Sequence, residues 1–263
     1  MQDRRRPPRS RSAPYAYPES VPDDIRLPLR DRVVLITGAT GALGRVATRE
    51  FGATGARVGL VGTNRERLAE LADETGLPGD GWLPAIADLR VAEETTAAVE
   101  AVVERFGRVD IVLHLVGGFV PGAPVTELDP AQLRFMLDQH LWSTVHVVRA
   151  VVPGMTERGW GRILAVTSFT TVSTPAKAAI YATTKAAQET FLRTVAKEVG
   201  GSGVTVNTVA VRAIDAEHAR EREPSPKNAA WTTPEEIVAT FRYLCSDDAA
   251  GINGARIPMD GRS

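Results

Sequence analysis

Tyr181 and Lys185 stand four residues apart, and Ser168 lies thirteen residues upstream of the tyrosine. On a helix that spacing puts the phenol and the ammonium on one face, where both can reach one bound molecule. An isolated tyrosine titrates near ~10 and gives up a proton poorly at neutral pH. A neighbouring cation favours the phenolate and moves the group toward the working range. Such a pair suits a reaction in which a carbonyl or alcohol oxygen exchanges a proton. The tyrosine–lysine spacing also occurs by chance on surface helices, so its meaning depends on the surrounding elements.

Those elements alternate. From Arg32 onward, short β-branched runs expected as strands at 32–37, 57–61, 82–87, 109–116, 161–167, 203–209 and 255–258 are separated by helical periodicity. The helices are expected near 42–54, 64–75, 91–106, 130–153, 178–199 and 234–246. This rhythm predicts an α/β, doubly wound Rossmann fold, with a seven-stranded parallel sheet flanked by helices in a single domain over 29–263. Asp129-Pro130 and Thr233-Pro234 read as a cap followed by proline at the first helical position.

The first strand runs into Thr37-Gly38-Ala39-Thr40-Gly41-Ala42-Leu43-Gly44 and then an amphipathic helix. Glycines between a strand and a helix let the backbone approach a pyrophosphate, and the helix N-terminus offers free N–H groups and a positive dipole end. The alternative is a turn needed only for packing. No Gly-Lys-Ser/Thr follows, which argues against a phosphate-hydrolysing loop.

Composition adds boundaries. The 263 residues carry a formal net charge of -1 and 43% hydrophobic residues, an ordinary globular balance with no global basic excess to suggest nucleic acid. No apolar run approaches the ~18 residues that span a bilayer. A single cysteine, Cys245, excludes an intrachain disulfide, fits a reducing cytoplasm and sits in an apolar helical pattern as a core residue. No metal site is expected. Residues 1–28, opening with Arg4-Arg5-Arg6-Pro7-Pro8-Arg9, read as a disordered Arg/Pro-rich tail lacking the apolar stretch of a secretory signal. A polyanion-binding arm is the alternative, diluted by Glu19, Asp23 and Asp24.

The glycine turn, Ser168, Tyr181 and Lys185, together with Asp88-Leu89 after the third strand and Asn207 in the sixth, resemble the short-chain dehydrogenase/reductase family. The likeness extends over roughly residues 30–261, through Thr233-Pro234-Glu235-Glu236-Ile237 to Asp260-Gly261. It implies a dinucleotide held by the turn at Gly38, Thr40, Gly41, Leu43 and Gly44, with Asp88 and Leu89 at the adenine and Val116, Gly117, Gly118 and Ile214 further along. It implies Tyr181 as general acid or base, Lys185 on the nicotinamide ribose and lowering the tyrosine's pKa, and Ser168 bonded to the substrate oxygen. Asp88 as a helix cap and Lys185 as a solvated surface lysine are the plainer alternatives.

The chain also departs from the family pattern. His114-Leu115-Val116-Gly117-Gly118 stands where Asn-Asn-Ala-Gly is usual, and His114 reads as a packing or hydrogen-bonding substitute. His140 occupies the place of the asparagine in the family's catalytic tetrad; it either relays protons or is a helix-interior histidine satisfied by a backbone carbonyl. Val211-Arg212-Ala213-Ile214 replaces the usual Pro-Gly segment, leaving open whether Arg212 meets a phosphate, an acidic substrate or water. Gly62 removes an acidic residue that would repel a 2′-phosphate, and Thr63, Asn64 and Arg65 follow, so NADP(H) is preferred over NAD(H). Arg65 as an ordinary helix-face charge is the alternative.

The expected protein is therefore a cytoplasmic NAD(P)-dependent oxidoreductase interconverting a carbonyl and an alcohol on a small organic substrate. It is expected to act without nucleic-acid or membrane partners and to form a homodimer or homotetramer through helices 130–153 and 178–199. Segment 213–231 is expected as a substrate lid, with Phe119, Trp142 and Phe169 as apolar walls. Gly117-Gly118-Phe119, Trp142-Ser143 and Trp231-Thr232 resemble dihydropteridine reductases, which suggests a pteridine or imine reductase as a rival. A decayed member acting as a nucleotide sensor or assembly subunit is the other.

Overall fold

The computed structural model describes residues 29–260. The expectation of a tail over 1–28 lies outside the described residues. Seven strands form one parallel sheet in the order β3-β2-β1-β4-β5-β6-β7. They are β1 (Val33–Thr37), β2 (Arg57–Gly62), β3 (Trp82–Ile86), β4 (Ile111–His114), β5 (Gly161–Ser168), β6 (Val204–Val211) and β7 (Arg256–Pro258). The order reverses between β1 and β4, and a crevice opens there beyond the carboxyl ends of the strands.

Alternation along the strands builds two cores. Val34 and Ile36 face one layer, against Phe51 of α1 (Ala42–Gly52), Leu68 of α2 (Arg65–Glu74) and Phe241 of α9 (Pro234–Leu244). Val33 and Leu35 face the other, against Val102 of α3 (Ala92–Phe106), Val151 of α5 (Ser143–Glu157) and Leu192 of α7 (Ala179–Glu198). Strands buried on both faces in this way read as continuous apolar runs, which is why β1 is Val-Val-Leu-Ile-Thr. Cys245 is buried in the first core, and burial pushes its thiol up to about 12.

The proline caps form as expected. Asp129 accepts from the Ala131 N–H ahead of α4 (Pro130–Leu137), and Thr233 and Glu236 close a reciprocal capping box at α9. The expected single helix over 130–153 is instead α4, a π-helical turn at Asp138–Trp142, and α5. The wider turn buries His140 completely. Two short helices, α6 (Thr170–Ser173) and α8 (Ala219–Arg222), carry no apolar periodicity and were not expected.

Candidate active site

At the mouth of the crevice, Gly38 has φ +65, and a Cβ there would meet the Leu115 and Val116 backbone at 3.0 Å. A Cβ on Gly44 would lie 2.3 Å from the Gly38 carbonyl oxygen. The turn is thus glycine for conformational and steric reasons, and α1 begins over it with Gly41 as N-cap and no side chain capping its N–H groups. Two clefts meet there and share Gly38, Gly41, Val116 and Gly117. One, of about 450 Å³, runs past Thr40 and Thr63 to Asp88 and Leu89. The other, of about 640 Å³, runs past Leu43, Gly44, Gly118 and Ile214 to Ser168, Tyr181 and Lys185. A bent double cleft over a bare helix N-terminus fits a dinucleotide, with its diphosphate at the turn.

Ser168 ends β5, while Tyr181 and Lys185 lie on the first turns of α7. Both of the serine's acceptor positions are filled by Thr170, through its N–H at 3.2 Å and its hydroxyl at 3.0 Å. Burial raises the Tyr181 pKa above its ordinary value, and the Ser168 hydroxyl partly opposes that shift. The phenol is walled by Phe119 at 5.3 Å and the His140 ring at 5.6 Å, both edge-on.

Lys185 is not a surface lysine. It is 6% exposed, and burial pushes it down to about 8, with the charge of Glu189 opposing. Its Nζ donates to the Val166 carbonyl and to Gln188 Oε1, both at 3.0 Å. Desolvation is the largest influence on the phenol, and the lysine's two hydrogen bonds run to its own helix and to β5.

His140 is buried and held down to about 3 by desolvation first and then by the Lys185 charge, so its ring is neutral. Nδ1 pairs with Thr184 Oγ1 at 2.9 Å, and Nε2 meets both the N–H and the carbonyl of Gly118 at 3.2 Å. Thr184 donates onward to the Tyr181 carbonyl, which favours Nδ1 as the protonated nitrogen and Nε2 as acceptor from Gly118. These bonds favour the satisfied helix-interior reading over the relay. A Cβ on Gly117 would lie 3.5 Å from His140 Nε2 and 3.7 Å from Lys185 Nζ, so glycine, histidine and lysine share one wall. His114 is likewise buried, between Thr37 Oγ1 at 3.0 Å and Ser143 Oγ at 3.4 Å.

At the far end of the smaller cleft, Arg90 donates from Nε to Asp88 Oδ1 at 2.9 Å and from Nη2 to Oδ2 at 2.5 Å, which lowers the carboxyl's pKa. Asp88 also accepts from the Arg90 N–H, and its carboxylate, which lines the cleft, keeps acceptor capacity for a further donor. Thr63 lines the cleft together with Arg90. Asn64 spends its side chain capping α2, through the Arg67 N–H at 2.8 Å. Arg65, in the first turn of α2, is not among the cleft's lining residues.

Of the expected walls, Phe119 lines the catalytic cleft and Trp142 does not; it packs against His146 at 6.0 Å. Segment 213–231 is fastened rather than loose. Asp215 caps α8, and Arg220 pairs with Glu236 through two 3.0 Å bonds and with the Trp231 carbonyl at 2.6 Å. Sequence reasoning missed Thr170, Gln188, Glu189 and Arg90. Each sits two to four residues beyond a residue it supports, and that spacing was the available signal.

A family model described as short chain dehydrogenase matches residues 32–227. The chain is a short-chain dehydrogenase/reductase. Its relatives include the 3-oxoacyl-acyl-carrier-protein reductase of Pseudomonas aeruginosa, 31% identical over 246 residues, which cover 89% of this chain and 97% of the relative. The D-threitol dehydrogenase of Mycolicibacterium smegmatis is 30% identical, over 92% of this chain and 95% of the relative. A short chain dehydrogenase from Bacillus anthracis superposes with a TM-score of 0.80 at 29% identity, covering 89% of this chain and 96% of that one. Like other short-chain dehydrogenases, the protein is an oxidoreductase of the NAD(P)(H)-using kind. Among the described residues no helix is long and apolar enough to cross a membrane.

Proposed function

We propose that this short-chain dehydrogenase interconverts a carbonyl and an alcohol on a small organic substrate, with Tyr181 as general acid in reduction and general base in oxidation. The observation that carries the reading is the convergence of Ser168, Tyr181 and Lys185 in one cleft that opens onto the glycine turn. The bound nicotinamide cofactor supplies the hydride in reduction and receives it in oxidation. Ser168, its lone pairs taken by Thr170, offers its proton to the substrate oxygen. Tyr181, a phenol whose pKa burial raises further above neutrality, donates as charge develops on that oxygen. Lys185 would hold the nicotinamide ribose, and its charge would favour the phenolate left behind. His140 fixes Gly118 and the start of α7 and is a positioning residue.

The turn at Gly38, Gly41 and Gly44 would hold the diphosphate, and Thr63 and Arg90 would meet the adenosine ribose. We propose NADP(H) over NAD(H), because Gly62 leaves no carboxylate against a 2′-phosphate and Arg90 brings a cation to the same cleft. The proposed setting is cytoplasmic. The proposed assembly is a homodimer or homotetramer built on α4, α5 and α7, where Phe135 of α4 and Trp142 at the start of α5 are 45% and 50% exposed.

NADPH oxidation over a panel of ketones and aldehydes, comparing the wild type with Tyr181→Phe, tests the reading. Loss of turnover by a factor of roughly 10² or more with cofactor affinity retained is expected. Cofactor binding with no turnover of any substrate in either direction would replace it with the nucleotide-sensor reading.

A further inference from the structure

Two guanidiniums pack over the Phe169 ring, Arg212 at 5.0 Å and Arg256 at 5.2 Å. They are not equivalent. Arg256 is half-buried and neutralised, with Nε 3.1 Å from Glu189 Oε1 and Nη2 3.1 Å from the Ser168 carbonyl. Glu189 in turn accepts from Thr167 and Thr171, so one carboxylate ties the end of β5, α6 and α7 together. Arg212 is exposed, lines the catalytic cleft, and among the described residues has no carboxylate within 4.0 Å. The platform is fixed, and among the described residues one of its two cations has no ion-pair partner.

Among the described residues, the charged groups that line the catalytic cleft share a sign, and Glu189, the carboxylate that acts on Lys185, stands outside the lining. Lys185 and Arg212 are the charged residues lining it, and no aspartate or glutamate joins them. Beyond Tyr181 the space continues into a chamber of about 280 Å³ that shares Phe119, Thr170 and Tyr181. That chamber is walled by apolar groups such as Val120, Pro121, Leu128 and Ile180, and its one charged residue is Lys177. A cleft with cations and no carboxylates concentrates anions. A guanidinium stacked on an aromatic ring keeps its N–H edge free for a planar two-oxygen acceptor.

We propose that the substrate of this site is an anionic carbonyl compound whose carboxylate, or equivalent phosphate, pairs with Arg212 while its carbonyl meets Ser168 and Tyr181. The proposal rests on the carbonyl–alcohol reading above and adds the substrate class. Arg212 directly follows β6 and Phe169 directly follows β5, neighbouring parallel strands paired at Ser168 and Val211. The guanidinium is thereby carried on the side of the crevice that presents Ser168, and it discriminates between substrates. The same cation could instead serve a cofactor phosphate, and the test separates the two.

Calorimetric titration of 4-acetylbenzoate and acetophenone into protein loaded with whichever oxidised cofactor binds more tightly measures substrate affinity without turnover, because the ketones cannot be oxidised there. The carboxylated ketone should bind at least about tenfold more tightly, the scale of a charge-assisted hydrogen-bonded pair. Arg212→Gln should bring that ratio close to one. Equal affinity for the two ketones, or no binding of either, overturns the proposal. So does an Arg212→Gln variant whose loss falls on cofactor affinity rather than on the ketone ratio. Reduction of the same two ketones by reduced cofactor reports separately on the underlying reading. Turnover of both without preference sinks the anion site alone. A carboxylate preference in binding without any turnover sinks the carbonyl-reduction reading alone.

Discussion

Thr170 donates to Ser168 Oγ twice, from its backbone N–H at 3.2 Å and from its hydroxyl at 3.0 Å. A serine oxygen has two acceptor sites and one proton. With both acceptor sites filled from one side, the remaining proton is directed away from Thr170, to the side where the phenol of Tyr181 stands. α6 thus polarises the serine without entering the cleft chemistry itself. Thr170→Val keeps the shape and the N–H bond and removes the hydroxyl. It should lower kcat/KM for carbonyl reduction roughly fivefold, the worth of about 1 kcal/mol, with Tm nearly unchanged. An unchanged kcat/KM would show that the hydroxyl bond does not reach the reaction.

Lys185 makes stability depend on pH in a window of its own. In the folded chain it titrates at about 8, pushed down by burial from 10.5. Between those two values the unfolded chain holds a proton that the folded chain has released, so stability rises with pH across the window. The full effect is about 3 kcal/mol. In Lys185→Met the rise should disappear, and denaturant unfolding of the two proteins at steps across the window measures it. Parallel curves would mean that the ammonium is better solvated than its 6% exposure implies.

Periodic signals were legible in the sequence and single contacts were not. The two-sided apolar runs of β1 and β5 and the proline-capped starts of α4 and α9 announced themselves locally, because each is specified by neighbours in the chain. Tyr181 and Lys185 were legible from their spacing along α7, and Ser168 from the family resemblance together with its distance from the tyrosine. The π-helical turn at His140 was not visible, since it spans only Asp138–Trp142 within an otherwise continuous helical run. Nor was the engagement of Asp88 by Arg90, which depends on a turn conformation after β3 rather than on residue type. The fastening of segment 213–231 by Arg220 and Glu236 joins residues sixteen apart and follows no period.

Cofactor preference should follow Arg90 rather than Arg65. Arg90 lines the proposed adenosine cleft beside Thr63, whereas Arg65 starts α2 outside that lining. A 2′-phosphate competing with Asp88 for the guanidinium would gain a charge-assisted contact that the NAD ribose cannot make. Arg90→Ala should reduce the ratio of NADPH to NADH affinity by about tenfold, while Arg65→Ala leaves the ratio close to that of the wild type. Fluorescence titrations of both cofactors against the three proteins give the comparison. A ratio that moves only with Arg65 would restore the helix-start arginine as the determinant.

Two buried histidines should make the protein acid-labile, and one of them separates positioning from proton relay. His114 and His140 are each held down to about 3, by burial first and by the Lys185 charge next, against 6.5 in an exposed ring. As pH falls from 6.5 toward 3, the unfolded chain takes up protons that the folded chain refuses, so stability drops. His140→Asn removes one of those protons, and its unfolding free energy should fall less steeply over that range. The bonds to Thr184 and Gly118 hold a neutral ring in place, so the variant's kcat/KM should drop while its pH profile keeps the shape of the wild type. A relaying imidazole predicts something different: a titrating limb present in the wild-type profile and missing from the variant. The pH dependence of kcat/KM for both proteins, measured beside their unfolding curves, distinguishes a ring that places Gly118 and α7 from one that carries protons.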